Sequence, residues 1–496
     1  MYSNKAGRAL IGIGLMLFVH VAGALAAEPT LELSLRDCID MALTENLSLK
    51  AFSMGLNTDD LSIVQAQSKF DLSLNFDLNR NHSSQKNYFE YYGVDNIERE
   101  NTTMNFSLGQ ELSTGADWGV GFYNSLSESN IETVKNYTSY LGVELSQPLL
   151  KGFGKKVATA NVYYSRLERD TTVHDIENMT VELLYQVQNS YWNLVYAWQS
   201  MGVLELSVQQ ADSLLAYNLK GRELGVLTDS DVLEAESMLL SRQQDILNQQ
   251  NIIRETEDSL RRLLNMDSES EMKSVIKPTD TATVGNITID IGKAFEEAVA
   301  LRPDYKLNKK YLERYQFSRD LSQNGLLPNL DLTARYNIHG SGTTYDKDIR
   351  DMGGFGQNDV SLGIMLRLPL GNRSAKAELK KNEIEIKRQE LTIRDLESRI
   401  LTEIRSAARN VKIRQESVDV ARKNVEVDEL KLKIEEEKFK NQLSTSYYVL
   451  QFQKDLAIAR NLYNKTLIDY TIAVNELNRA SGSMLKKLNI SIVAMD

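Results

Sequence analysis

The feature that most constrains this chain is that it repeats itself. Leu33 to Asn46 returns as Ile289 to Arg302, with Ala42-Leu43 answered by Ala298-Val299. Leu141-Gly-Val-Glu-Leu-Ser-Gln-Pro-Leu149 returns as Leu362-Gly-Ile-Met-Leu-Arg-Leu-Pro-Leu370. Gly225-Val-Leu-Thr228 and Val232-Leu233 return as Asn441-Gln-Leu-Ser444 and Val449-Leu450, with one residue inserted. The echoes keep their order, so the chain reads as a tandem duplication of about 220 to 255 residues. Each unit runs short helix, strands, very long helix, tight turn, return helix.

The amino terminus points to export. Lys5 and Arg8 precede an apolar run, Ile11 to Val21, that is too short for a stable anchor, and Ala24-Leu25-Ala26 offers a cleavage site after Ala26. Without those two cations the formal charge of −11 becomes −13, which argues against nucleic acid as a partner. Beyond the leader no run approaches the length of a membrane helix, so any contact with a bilayer must be made by strands. Cys38, the single cysteine, lacks a lipid-attachment context and excludes an intrachain disulfide.

The long segments carry a coiled-coil seam. Leu183, Val187, Ser190, Leu194, Ala197, Met201, Leu204, Val208, Ala211 and Leu215 are spaced by threes and fours, as are Leu396, Ile400, Ile404, Ala407, Val411 and Val418 with the polar Arg414 interrupting the last pair. Helices over 155–224 and 372–440 would each be rods of roughly 100 Å. The return helices, 229–266 and 446–481, are shorter, and so is the helix opening the second unit, 291–324. A 229–266 helix and a 291–324 helix end to end match one long rod, so short helices are expected to stack in pairs beside long ones.

Strands lie between the helices. Phe70 to Asn79 alternates apolar and polar residues, as do Met104 to Leu112, Trp118 to Leu126, Leu141 to Leu145, Leu330 to Ile338 and Val360 to Leu368. All but the five-residue Leu141 to Leu145 have the length of a tilted outer-membrane strand. His82 to Asn101 and Gly340 to Asn358 read as surface loops, and Ser113 to Asp117 as a hairpin turn found only in the first unit. Tyr88-Phe89 and Tyr91-Tyr92 suit either an interfacial girdle or a loop cluster. Six strands, or four if the extra hairpin stands off, cannot close a barrel in lipid, so the barrel must be shared; three copies give 12 or 18 strands.

In this order the chain resembles the TolC family of outer-membrane efflux proteins. The resemblance rests on the duplicated helix–strand–helix order, on Gln147-Pro-Leu-Leu-Lys-Gly-Phe-Gly154 leaving the strands, and on the Gly225-x-Leu-Thr-x-x-Asp-Val-Leu-x-Ala235 turn. It implies an α+β membrane protein: a homotrimer whose transmembrane β-barrel continues into a long antiparallel coiled-coil tunnel across the periplasm. The domains would be a signal peptide 1–26, a first repeat 27–267 with strands over 69–148, an equatorial linker 268–290, a second repeat 291–481 with strands over 329–369, and a tail 482–496. A periplasmic membrane-fusion adaptor and a proton- or ATP-driven inner-membrane pump would dock at the tunnel end. Cargo is not legible.

The resemblance also places residues. The periplasmic gate would hold Asp229 and Asp231, whose carboxylates, gathered around a threefold axis, would repel one another, raise each other's pKa and attract cations. The alternative is helix capping, since Thr228 and Asp231 have capping-box spacing. Tyr447 and Tyr448 stand at the second turn, as gate elements or buried packing residues. The adaptor-docking tip would comprise Arg222, Gly225, Leu227, Thr228, Asn441, Leu443 and Ser444, with Asn441 taking the left-handed place of glycine. Pro148 with Gly152, and Pro369 with Gly371, would end the strands and turn the chain into the long helices. Four scattered histidines and 14 methionines suggest no metal site or cofactor, and no nucleophile–base pair suggests an enzyme. A secreted trimeric coiled-coil structural protein or adhesin is the competing reading.

Overall fold

The computed structural model describes residues 29–88, 93–132, 134–285 and 287–490; the leader with Ala26, and Phe89, Tyr91 and Tyr92, lie outside these. β1 (Thr30–Leu33) leads into α1 (Leu35–Glu45) and α2 (Leu47–Gln67), followed by β2 (Ser73–Lys86), β3 (Asn96–Glu111), β4 (Asp117–Ser129) and β5 (Asn136–Pro148). A short α3 (Lys155–Ala158) opens the 64-residue α4 (Ala160–Glu223), and α5 (Asp229–Leu264) returns. α6 (Glu269–Met272) and β6 (Val275–Pro278) lead to α7 (Ile291–Leu301), α8 (Pro303–Gly325), β7 (Asn329–Gly342), α9 (Tyr345–Gly353) and β8 (Gln357–Arg367). The 68-residue α10 (Arg373–Lys440), α11 (Ser446–Ala480) and α12 (Met484–Lys487) complete the chain.

Several boundaries differ from the expected ones. The helix expected over 291–324 is broken at Arg302, because a residue before proline is pushed out of the helical region; Arg302 has ψ 125° and Pro303 begins α8. The linker 268–290 holds α6 and β6, and β6 pairs in parallel with β1. The segment Gly340 to Asn358, expected as loop, contains α9.

The helices form four columns. α4 packs against α2 above and α5 below, while α10 packs against α8 and α11, and α4 meets α8 and α11 between them. Half-length helices do stack beside full-length ones, but the partners differ from the expected pair. α5 is continued by α2, and α11 by α8. The joints explain why. Asn46, at the corner between α1 and α2, donates to the carbonyl of Leu263 at the end of α5 (3.0 Å). Arg302, at the matching corner, donates to the carbonyl of Ala480 at the end of α11 (3.1 Å) and is held by Asp304 and Glu403. Both corners thus satisfy carbonyls that a helix end leaves without partners.

The main core lies at the level of these joints. Tyr191, Leu194, Leu260, Ile276, Ile400, Ile404 and Ile468 are fully buried there. Tyr191 donates to Asp280 (2.7 Å) and pins the two-stranded sheet to α4. Below, Glu257 has no solvent exposure; it accepts from the Ile276 amide (2.9 Å) and faces Arg261 (3.3 Å) and Arg254 (3.4 Å).

The six longer strands form one antiparallel sheet, ordered β2-β3-β4-β5-β7-β8. Its register separates two faces. On one, Phe76, Phe106, Phe122, Leu141, Ile338 and their neighbours carry apolar side chains; on the other, Asn75, Asn105, Ser107, Ser125, Thr138 and Asn337 are polar. Among the described residues no helix covers the lower part of the apolar face, and Leu74, Phe76, Leu362 and Ile364 are 60–75% exposed. From Leu330 to Ile338 the belt spans about 26 Å of strand, near the height of an apolar bilayer band. Among the described residues no helix is long and apolar enough to cross a membrane.

α9 closes the belt on one side. It lies on β7 and β5 just beyond Ile338, and the fully buried Asp348 accepts from the amide (3.1 Å) and hydroxyl of Ser139. Gly340 and Gly342 are required there, since a Cβ on either would overlap the Asp348 backbone.

Candidate functional site

The two helical turns far from the sheet lie side by side. In the first, α4 ends at Glu223 and Gly225 takes φ +72°, letting the Val226 amide reach back to the carbonyl of Gly221 (2.9 Å). This is how a left-handed residue closes a helix end. Thr228 caps α5: its hydroxyl accepts from the Asp231 amide (3.3 Å), and the Asp231 carboxylate accepts from the Thr228 amide (2.9 Å) and hydroxyl (2.7 Å).

The second turn has the same shape with a shifted match. The left-handed residue is Gln442, φ +60°, and the Leu443 amide reaches back to Lys438 (2.9 Å). Asn441, expected in that place, has φ −93°. Gln442 therefore corresponds to Gly225, Thr445 to Thr228, and Val449-Leu450 to Val232-Leu233, with no insertion. Tyr448 takes the place of Asp231, and α11 accordingly begins without a side-chain cap at Thr445.

The two aspartates have different surroundings. Asp229 is 86% exposed in its side chain and lies 3.7 Å from Arg222, a surface pair of little energetic weight. Both oxygens of Asp231 are engaged, because Ser446 of the second turn donates to the oxygen that Thr228 leaves free (3.2 Å). The buried Asn218 donates to the Asp231 carbonyl (2.9 Å). Hydrogen bonds from Thr228 hold the Asp231 carboxyl below the usual carboxylate range. Within one chain this is opposite to the rise expected from crowded carboxylates.

The remaining tip residues are not equally presented. Leu227 packs onto Gly221, where a Cβ would meet its side chain at 2.6 Å, and is only half exposed. Leu224 and Val226 project instead, at 77% and 59% exposure, as does Leu443 at 77%. Neither Leu224 nor Val226 was singled out by sequence, because the repeat match favours Leu227. Ser444 turns inward and donates to the buried Glu435, holding its carboxyl below the ordinary range. Tyr447 and Tyr448 are half exposed and meet edge to face at 5.5 Å, so within one chain they are not buried packing residues.

At the other end, both strand-to-helix joints leave the same edge of the sheet. Pro148 ends β5 opposite Asp331, and Pro369 follows β8, whose Arg367 pairs with Asn329. Gly152 has φ +87° and its amide donates to Asn324 (2.9 Å). In the second joint the left-handed residue is Asn372, φ +41°, one beyond Gly371. Among the described residues no group of three or more His, Cys, Asp or Glu is placed to hold a metal ion.

Asp231 sets an acid limit on the tip. A carboxylate whose pKa is lowered by folding contributes stability above its unfolded value, and that contribution is lost as the pH falls through the folded value, below about pH 4. The protection of amides 225–232, measured relative to the intrinsic exchange rate at each pH, should therefore fall on acidification. In Asp231→Asn, which keeps an acceptor but no charge, protection should lose this pH dependence; an unchanged profile would assign the effect elsewhere.

A family model described as "Outer membrane efflux protein" matches residues 38–266 and 294–483. Among solved structures, VceC from Vibrio cholerae aligns at 15% identity over 90% of this chain and 96% of its own, with a TM-score of 0.64. CmeC of Campylobacter jejuni aligns at 13% identity over 92% and 90%, with a TM-score of 0.66. MtrE of Neisseria gonorrhoeae, solved in an open state, aligns at 15% identity over 91% and 89%, with a TM-score of 0.63. All three are described as outer-membrane proteins or channels. A comparison with curated proteins finds no significant match.

Proposed function

Because the chain belongs to the outer membrane efflux protein family, we propose that three copies form a passive export duct of a tripartite efflux or type I secretion system. It resides in the outer membrane, with the helical part in the periplasm.

The observation that carries the trimer is that each flank of a single chain ends unfinished, and the flanks match. On one flank stand the edge strand β2 and the α2–α5 column; on the other stand the edge strand β8 and α10. α5 exposes Leu233, Leu240 and Leu247, and α10 exposes Val420, Val427 and Ile434. Each stripe steps by seven, the repeat of a coiled-coil seam. The Asp231–Ser446 contact sets the two turns level. Counted from them, the stripes agree within about 3 Å of helix rise. A contact between different flanks generates a closed ring, which also pairs the strand edges that lipid would leave unsatisfied. A soluble fibre would instead leave the apolar sheet face in water.

The tips then surround the tunnel mouth. Asp229 supplies the exposed carboxylate of each first turn, while Asp231 ties that turn to the second. Tyr447 and Tyr448 flank it. Leu224, Val226 and Leu443, with the small turn residues Gly225 and Thr228, form the surface offered to a periplasmic adaptor, behind which an inner-membrane pump would stand. The two segments matched by one family model support an internal duplication, and the chain acts as a conduit rather than an enzyme.

Purified protein should need detergent and give single-channel conductance steps in planar bilayers, with cation preference reduced by Asp229→Asn. Absence of conductance together with solubility without detergent would reject the channel.

A further inference from the structure

The β3–β4 hairpin, present only in the first half of the chain, has all the properties of barrel wall. Each of its strands is paired on both sides over most of its length, β3 with β2 over Ser73–Lys86 and β4 with β5 over Asn136–Ser146. Its apolar face is flush with its neighbours: Phe76, Phe106, Phe122 and Leu141 are consecutive partners across four strands. Its turn is anchored at the strand-to-helix joint, where Thr114 accepts from the Gly154 amide (3.0 Å) and Gly115 rests against Gly152 and Pro148. To stand off, the hairpin would have to abandon two ladders and that anchor.

We infer that the hairpin is part of the membrane wall, so that the trimer has an 18-stranded barrel. The inference rests on the trimeric channel reading. Strands about 4.8 Å apart and tilted about 40° each occupy about 6.3 Å of perimeter, so 18 of them enclose a backbone cylinder about 36 Å across.

The inner face of the hairpin keeps the bore open. Gly109 faces Gly119, and Gly121 faces Gly142, on the polar side. The ring of Tyr123 lies flat over Gly121, where a Cβ would overlap it, and stacks on Tyr140 at 4.5 Å with 17° between planes. Allowing about 5 Å of side chain on each side leaves a clear width of about 25 Å. The lining is mostly neutral hydrogen-bonding groups, such as Asn105, Ser107, Ser125 and Thr138. The barrel therefore passes bulky hydrated cargo, and size selection falls to the tunnel mouth.

The test is single-particle imaging of the wild-type trimer in lipid nanodiscs, supported by nitroxide labels at Phe106→Cys, Phe122→Cys and, on β8, Leu362→Cys. Cys38 does not compete for label, being fully buried with its thiol pKa pushed up to about 12 by that burial. We expect 18 strands in cross-section, and all three labels more accessible to oxygen dissolved in lipid than to a water-soluble nickel chelate. Twelve strands in an intact trimer, or nickel-accessible labels at 106 and 122 beside a lipid-exposed label at 362, would overturn the inference alone. A monomer soluble without detergent would overturn it together with the channel.

Discussion

Replacing Glu257 by alanine should destabilise the middle of the molecule by about 1–3 kcal/mol, the cost of leaving a buried backbone donor unsatisfied. The glutamate has no solvent exposure, and Arg261, with only 5% of its side chain exposed, would lose its contact with it but keep Asp258 (2.8 Å). The Ile276 amide would also lose its acceptor, detaching β6 from α5. Burial raises the Glu257 pKa, while the Ile276 amide and the two arginines pull it down, with a net upward shift. A neutral glutamine, which keeps an acceptor for Ile276, should therefore fall between wild type and alanine. The midpoint of heat-induced loss of helical circular dichroism measures all three; an alanine variant as stable as wild type would mean that the network contributes nothing net.

Gly225→Trp is expected to abolish export while leaving trimers and membrane insertion intact. Nothing lies within 4 Å of where a Cβ would project, so the space is open. The cost is conformational, about 1–2 kcal/mol for an L-residue held at positive φ, and the indole would stand among the exposed Leu224 and Val226. Gly225→Asn, which tolerates that conformation, should retain most export. Accumulation of a fluorescent substrate in cells, with native gel electrophoresis for the trimer, distinguishes the outcomes. Normal export by the tryptophan variant would remove this turn from the docking surface, and loss of the trimer would make it purely structural.

What could be read from sequence follows from where each side chain finds its partner. Leu194, Ile400 and Ile404 pack within the chain, so their spacing announces the long helices and the structure buries them completely. α2 was not legible as a helix of its own. Its Leu47, Met54 and Leu61 are 61–69% exposed, and the pattern takes meaning only beside another copy. Strand ends such as Asn79 to Lys86 escaped because both faces are polar there, although the ladder continues to Lys86. α9 hid behind Gly340 and Gly342, which look like loop residues but serve a close helix contact. At the tip the repeat match slipped by one residue, because Gln442 adopts the conformation that glycine has in the first turn.

α9 has a bearing on how the proposed barrel would sit in a bilayer. It lies on the apolar face of the sheet just past Ile338, with Asp346 and Arg350 more than three-quarters exposed. Such charges resist entry into hydrocarbon. At the opposite rim, Pro148 and Pro369 end the strands where the helices begin. The apolar belt is thus bracketed by a charged collar on one side and a helical shoulder on the other. Insertion depth becomes a property of the chain itself, fixed like a float between two stops.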